Sequence, residues 1–283
     1  MNRYAFASDL HGRLDRLEKL FEWIRADAPA AVLLGGDLLP GPGAPATAAF
    51  DDFVLDYLAP ALSELRQAMG ARYPRVGAIM GNDDPRAYED SFRELERLGL
   101  WTYLHDRVVQ WDGHPVAGYA FVPPTPFRLK DWEKYDVSRY LDPGCLAPTE
   151  GARSVEPDYD PRYSTIARDL AALSQRLQPE RAIVLFHSPP YRTVLDRAAL
   201  DSVVVDHVPL DVHVGSIAIR RFIEQVAPAV TLHGHVHESA ALTGAWRQQL
   251  GRTTLLGAAH AGPELALVVL DPADPSAAER LLL

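Results

Sequence analysis

Five short apolar runs in this 283-residue chain each stop at a residue able to hold a cation. RYAFAS (3–8) leads into Asp9 and His11, AAVLLGG (30–36) into Asp37, and RVGAIMG (75–81) into Asn82. AIVLF (182–186) leads into His187, and the run at 228–233 into His235 and His237. The first of the intervening stretches, 14–25, sets Leu14, Leu17, Phe21 and Ile24 on one helical stripe. Helical patterns follow at 46–69, broken by Pro60, and at 86–98, 163–177 and 215–226. Strand, helix, strand, helix in this order predicts an open α/β sheet, and such sheets assemble their sites outside the carboxyl ends of the strands. The polar run-ends therefore belong to one edge.

The rest of the chain carries weaker signals. Residues 40–45 form a Gly/Pro loop, and 101–120 break into short strands with Asp112-Gly113 as a hairpin turn. Short strands are expected at 240–243, 253–257 and 264–270. Residues 123–161 are rich in proline, aromatics and charge without a period, and a loop of that length is either functional or disordered. Phe127, Trp132, Tyr135 and Tyr140 favour an ordered flap or insertion within a single domain spanning 1–283.

Composition narrows the chemistry. Hydrophobic residues make up 47% and charged residues 23%, as in ordinary globular proteins. No apolar run approaches a membrane span. Met1 to Ser8 reads as a buried strand with no signal-peptide features, so no membrane partner and a cytoplasmic location are expected. Cys145 is alone, so a thiolate site is excluded and any metal must be held by nitrogen and oxygen donors. A net charge of −10 disfavours long nucleic acid as a partner, leaving a nucleotide or another small phosphate ester.

A lone Asp or His after a strand is ordinarily a cap or turn residue. Seven such donors on one sheet edge exceed what one ion needs and suit two divalent cations with open positions. In extended backbone, residues i and i+2 point the same way, so Asp9 with His11 and His235 with His237 are expected to face the site as pairs. Two carboxylates against two such ions leave a positive centre. A phosphate ester is its natural guest, attacked by a hydroxide bridging the metals.

Asp-x-His (9, 11), Gly-Asp (36, 37), Gly-Asn (81, 82), His187 and Gly-His-x-His (234–237), in this order, resemble the calcineurin-like metallophosphoesterase superfamily. The resemblance implies a four-layer αββα sandwich with two mixed β-sheets. It also implies that Asp9, His11 and His237 bind one metal, that Asn82, His187 and His235 bind the other, and that Asp37 bridges them. Manganese is the first expectation, with iron, zinc or nickel as alternatives. The activity implied is that of a dimetal phosphohydrolase, read here as a phosphodiesterase; a nuclease, a phosphoprotein phosphatase and a non-catalytic scaffold are the alternatives.

One position departs from the family pattern. Its third motif usually reads Gly-Asn-His-Asp or Gly-Asn-His-Glu, whereas this chain has Gly-Asn-Asp-Asp, with Asp83 where the histidine acts on the leaving group. An ionised Asp83 is a poor proton donor, so good leaving groups or strained esters should be preferred. Asp84 either orients Asn82 or another ligand, or caps the helix that Pro85 opens. Substrate contacts are assigned to Asn82, Tyr191, Arg192 and His213, a helix start being the plainer role for His213. His233 is expected to pack beneath the site. His105, His114, His207 and His260 lack ligand spacing. His187-Ser188 is no catalytic Ser/His pair, and Gly41-Pro42-Gly43 is a loop rather than a phosphate cradle.

Overall fold

The computed structural model describes residues 3–41 and 49–283. Positions 42–48, which include most of the expected Gly/Pro loop and the start of the 46–69 helical pattern, lie outside the described residues.

The first sheet takes β1 (Tyr4–Ala7), β2 (Ala31–Gly35), β3 (Arg75–Ile79) and β4 (Thr102–Tyr103) in parallel, in that spatial order. β5 (Arg107–Trp111) and β6 (His114–Tyr119) form the expected hairpin; its turn residues Asp112 and Gly113 both have positive φ, as a two-residue hairpin turn requires. They open the second sheet, which continues through β7 (Ile183–Phe186). A separate small hairpin pairs β8 (Val204–Val205) with β9 (Val208–Pro209). The second sheet is completed by β10 (Val230–His233), β11 (Arg247–Leu250) and β12 (Thr253–Gly257), in the order β11-β12-β10-β7-β6-β5. β13 (Ala266–Asp271) and β14 (Asp274–Leu282) return antiparallel to the free edge of the first sheet. Both sheets are thus six-stranded and mixed, each with four parallel strands side by side, central in the second sheet and reaching the β4 edge in the first.

The sheets face each other, β2 against β7 and β3 against β6, and the helices associate by sheet. α1 (Leu14–Asp27) buries Leu17, Leu20, Phe21 and Ile24 on one stripe and ends at Ala28 in the left-handed region. It contacts α2 (Ala59–Met69), and α3 (Glu89–Arg97) packs on β4. On the other side α4 (Ile166–Ser174) lies on α5 (Ile217–Val226). The α/β sandwich of two mixed sheets expected from the sequence is the observed architecture. Among the described residues no helix is long and apolar enough to cross a membrane.

Several boundaries differ from the sequence reading. Pro60 does not break a helix. It sits in the first turn of α2, where no backbone N–H is needed, after a π-helical turn at Val54–Leu58. Residues expected as a strand at 240–243 form α6 (Ser239–Thr243), because a left-handed Gly244 caps an alanine-rich turn. β14 gives no apolar signal because it is an edge strand, mostly exposed along its length.

Residues 123–161 contain no regular helix or strand, yet their centre, Lys130 to Tyr135, is buried. Isolated bridges tie Val122 to Glu133, Leu129 to Ala152 and Tyr135 to Thr165. The polar stretch Lys130 to Asp136 does the holding. Lys130 and Glu133, both fully buried, pair at 2.6 Å, and Glu133 also accepts from Thr125 N at 2.8 Å. Asp131 accepts from Arg86 N and Ser154 N. Lys134 lies 4.1 Å from the ring centres of both Phe121 and Tyr159 and bonds Asp169. Asp136 accepts from Ile217 N and Ser216 Oγ, capping α5 from a distance of some eighty residues. Trp132, fully buried, fills the space between Phe121 and His105.

Candidate metal centre

Every ligating side chain expected from the sequence follows a parallel strand directly: Asp9 and His11 after β1, Asp37 after β2, Asn82 after β3, His187 after β7, His235 and His237 after β10. β1, β2 and β3 are neighbours in one sheet, β7 and β10 in the other, so five loops meet where the two sheet edges face.

The pairs do not converge by strand alternation, however. The strands have ended, and Asp9 (φ 58°), His11 (φ 49°), Asp37 (φ 52°) and His235 (φ 73°) all lie in the left-handed region. Such backbone costs an L-residue about 1 kcal/mol or more and gathers where function over-determines the loop. It is kept in place by continued pairing past the strands, Asp9 N to Gly36 O at 3.0 Å and His11 N to Asp37 O at 2.8 Å. Close approach fixes two glycines. A Cβ on Gly81 would meet Asp37 Oδ1 at 2.2 Å, and one on Gly234 would meet Ser8 Oγ at 2.0 Å.

Three overlapping groups of donors result, each with its atoms within 4.8 Å of one another: Asp9, His11 and His237; Asp9, Asp37 and His187; and His11, Asp37 and Asp83. The Nε2 atoms of His11 and His237 face each other at 3.2 Å, and His237 Nε2 lies 3.3 Å from Asp9 Oδ1. His187 donates through Nδ1 to Gly35 O at 2.8 Å, which leaves Nε2 turned toward Asp37 Oδ2 (3.2 Å) and Asn82 Oδ1 (3.1 Å). A backbone carbonyl that fixes the ring tautomer in this way is the usual outer support of a metal-binding histidine. His235 places its ring against that of His187, centres 5.2 Å apart, and its backbone N–H donates to Asp9 Oδ1 at 3.0 Å.

Charge at this centre is unbalanced in a way a cation relieves. Asp9 Oδ2 is buried with no hydrogen-bond partner, although a buried acceptor without one is costly. Burial would raise the Asp9 carboxyl, but His237, His187 and His11 outweigh it and hold it well below the usual carboxylate range. Burial also opposes a charged His187, yet the Asp37 and Asp9 carboxylates push that ring up to about 10. His235 goes the other way, down to about 3, by desolvation and the neighbouring His187 charge. The donor set, all nitrogen and oxygen, fits divalent transition metals.

The remaining expected residues are placed variously. Asn82 stands at the centre, its Nδ2 donating to Asp83 Oδ1 at 2.8 Å. Asp83 is half-exposed, with Oδ2 3.9 Å from His11 Nδ1 and its own N–H on Asp37 Oδ1. Burial and then the Asp37 charge raise its carboxyl. Of the two roles read from the sequence, Asp84 takes that of orienting the ligand loops and not that of a helix cap, and a catalytic role has no geometric support. Both its oxygens are spent on backbone, Oδ1 on Leu39 N (2.8 Å) and Oδ2 on Gly81 N (2.9 Å) and Leu38 N (3.2 Å), so it braces the loops that carry Asp37 and Asn82. Burial and Asp37 push it up to about 7.

His213 is not at a helix start either. Its Nδ1 bonds buried Asp196 at 2.8 Å, and α5 begins four residues later. Tyr191 donates to Asp211 at 2.5 Å, and Arg192 lies over the Tyr191 ring. These three are tied to one another and to Asp196 rather than gathered with the metal-binding donors. His233 packs below, stacked on Phe186, with Nδ1 on Ser188 O and Nε2 on Thr231 Oγ1. Arg16 is the residue that sequence reasoning missed, a buried arginine on the apolar stripe of α1 that donates to Asp9 O at 2.8 Å. A cation among Leu17, Leu20 and Phe21 was the available signal.

Known proteins share this architecture. A family model described as calcineurin-like phosphoesterase matches residues 3–239. Among solved structures, one crystal structure is 17% identical with a TM-score of 0.60, covering 100% of this chain and 98% of the other. The protein TT1561 of Thermus thermophilus is 17% identical with a TM-score of 0.58, covering 99% of this chain and 98% of the other. A dimetal phosphatase from Danio rerio is 12% identical with a TM-score of 0.47, covering 94% and 91%. The curated proteins yielded no match.

Proposed function

This chain belongs to the calcineurin-like phosphoesterase family, and from that premise we propose that it hydrolyses a small phosphodiester with the help of two divalent cations, manganese foremost. It is a metal-dependent phosphoester hydrolase; the diester preference and the assignment of individual ligands are the proposed part. The observation that carries the reading is the buried, partnerless Asp9 Oδ2 at the junction of donor groups that share Asp9, His11 and Asp37. Asp9, His11 and His237 would hold one ion; Asn82, His187 and His235 the other, with Asp37 between.

Asp9, Asp37 and Asp83 set three carboxylates around the two ions, and the cations make this a seat for an anionic phosphate ester. When bound, the cations neutralise the phosphoryl group and lower the pKa of the attacking water. The protein's part is orientation. Asp84 and Gly81 hold the Asp37 and Asn82 loops, Gly35 O holds the His187 ring, and Arg16 holds the Asp9 loop. Burial and the Asp37 charge raise the carboxyl of Asp83, 3.9 Å from His11, but two bound cations would hold it ionised and without a ready proton for a departing alkoxide, so activated leaving groups are favoured.

Hydrolysis of bis(p-nitrophenyl) phosphate with added manganese tests the reading, with elemental analysis beside it. Asp37→Asn should retain the fold, lose bound metal and lose nearly all the rate. Wild-type protein that carries metal yet leaves both diesters and monoesters intact would end it.

A further inference from the structure

A cavity of about 430 Å³ adjoins the candidate metal centre through His235, Val236 and Glu238. One wall comes from the 123–161 segment, with Pro124, Phe127 and Cys145; the other from the excursion between β7 and α5, with Leu200, Val205 and Leu210. The walls are apolar, and Phe127, Val204 and Val208 are left exposed nearby. The charged groups among the described lining residues are all acidic: Asp142, Asp211 and Glu238. No lysine or arginine lines it among those residues. Of its two histidines, His235 belongs to the metal centre and His213 is already bonded to Asp196.

Two of the carboxylates have local donors, Asp211 from Tyr191 and His213 N, Glu238 from Ala199 N. Partial burial and then the charge of Asp211 raise the Asp142 carboxyl, whereas Asp211, despite its own partial burial, is held below the usual range by Tyr191, His213 and Arg192.

We propose that this cleft seats the alcohol portion of the ester and selects an apolar alcohol bearing an ammonium group over one bearing an anion. The inference rests on the phosphoesterase reading, because it takes the phosphoryl group to lie at the metal centre, which the cavity meets at His235. With the phosphate fixed there, a compact alcohol extends between the proline and valine walls, and its cation meets Asp142 and Asp211. A second anionic group, as in a nucleoside polyphosphate, would face three carboxylates across the cleft.

Phosphocholine and 2-phosphoglycolate separate the possibilities, since each carries one phosphate and one alcohol and differs in the charge of that alcohol. On manganese-loaded protein, phosphocholine should bind at least about tenfold more tightly by calorimetry and compete correspondingly better against bis(p-nitrophenyl) phosphate. Asp142→Asn should narrow the gap. Val205→Trp, which fills the cleft from the small hairpin, should weaken phosphocholine binding without changing the bound metal. Equal affinities, or a preference for phosphoglycolate, would overturn the cleft assignment while diester hydrolysis stands. If neither ligand binds and no diester is cleaved, the phosphoesterase reading falls and this inference with it.

Discussion

The metal cradle and the 123–161 segment sit side by side and are held together by opposite means. In the cradle, five loops leave the ends of parallel strands, and the backbone is strained: Asp9, His11, Asp37 and His235 are all left-handed. Its carboxylates and imidazoles face one another with an acceptor left over. The segment has no regular structure, but nearly every charge in Lys130 to Asp136 has found a partner, from the fully buried Lys130–Glu133 pair to the Asp136 cap on α5. One region stores unsatisfied chemistry on a rigid scaffold; the other spends its polar groups on being rigid. The difference teaches that irregular backbone is not loose backbone where its polar groups are paired.

The sharpest way to break this comparison is Gly81→Ala. A Cβ there would stand 2.2 Å from Asp37 Oδ1 and 2.5 Å from Asp37 N, so the Asp37 loop must move. We expect a rate loss of about a thousandfold, roughly 4 kcal/mol of transition-state stabilisation, with bound metal lost in parallel. Limited proteolysis within 123–161 should be unchanged. Kinetics and elemental analysis on the same preparation check it, and a variant that keeps both metals and rate would mean the cradle tolerates displacement.

Lys130→Met probes the other region. It leaves Glu133 buried without its cation, and removing one partner of a buried pair costs about 3 kcal/mol. Urea unfolding should show that loss, and the segment should become open to proteases, while metal bound per folded molecule stays the same. Loss of metal affinity on the same scale would show that the two regions are one cooperative unit.

How far each region could be read from the sequence follows from the same difference. The cradle was legible because each donor comes one to four residues after an apolar run, so local order in the chain encodes convergence in space. What failed there was local: alternation along a strand was the assumed device, whereas the donors sit in left-handed turns beyond the strand ends. For Asp84 the sequence leaves two roles open, because two of its three partners, Leu38 and Leu39, are some forty-five residues away. In the segment the contacts that tie it to the rest of the fold are of that kind: Asp136 caps a helix that begins at Ile217 and Asp131 bonds Arg86, so the sequence shows an ordered flap without showing that KDWEKYD is its buried part.

Metal removal should distinguish the regions more gently. An ion held at a hundred times its Kd stabilises the folded state by about 2.7 kcal/mol, worth roughly 5 °C in melting temperature for a chain of this size. Chelation should lower Tm by that order and manganese restore it. Hydrogen exchange should change in the Asp9, Asp37 and His235 loops but not between Lys130 and Asp136. Equal changes in both would again merge them.

The smallest effect concerns a cradle residue whose side chain faces outward. Asp83 is half-exposed, is raised by burial and the Asp37 charge, and lies 3.9 Å from His11. If proton delivery to the leaving group is what this site lacks, Asp83→His should help poor leaving groups and leave good ones nearly unchanged. A gain of about tenfold for an alkyl ester is expected, or about 1.4 kcal/mol, against little for a p-nitrophenyl ester. The quantity to measure is the slope of log kcat/KM against the pKa of the departing alcohol, which should flatten in the variant. A parallel shift of the whole line would instead mean that residue 83 acts through the charge of the metal site, since an added imidazole in place of a carboxylate alters the field felt by every ester alike. An unchanged line would remove proton delivery from the account of this enzyme, and with it the reason for expecting activated esters to be its better substrates.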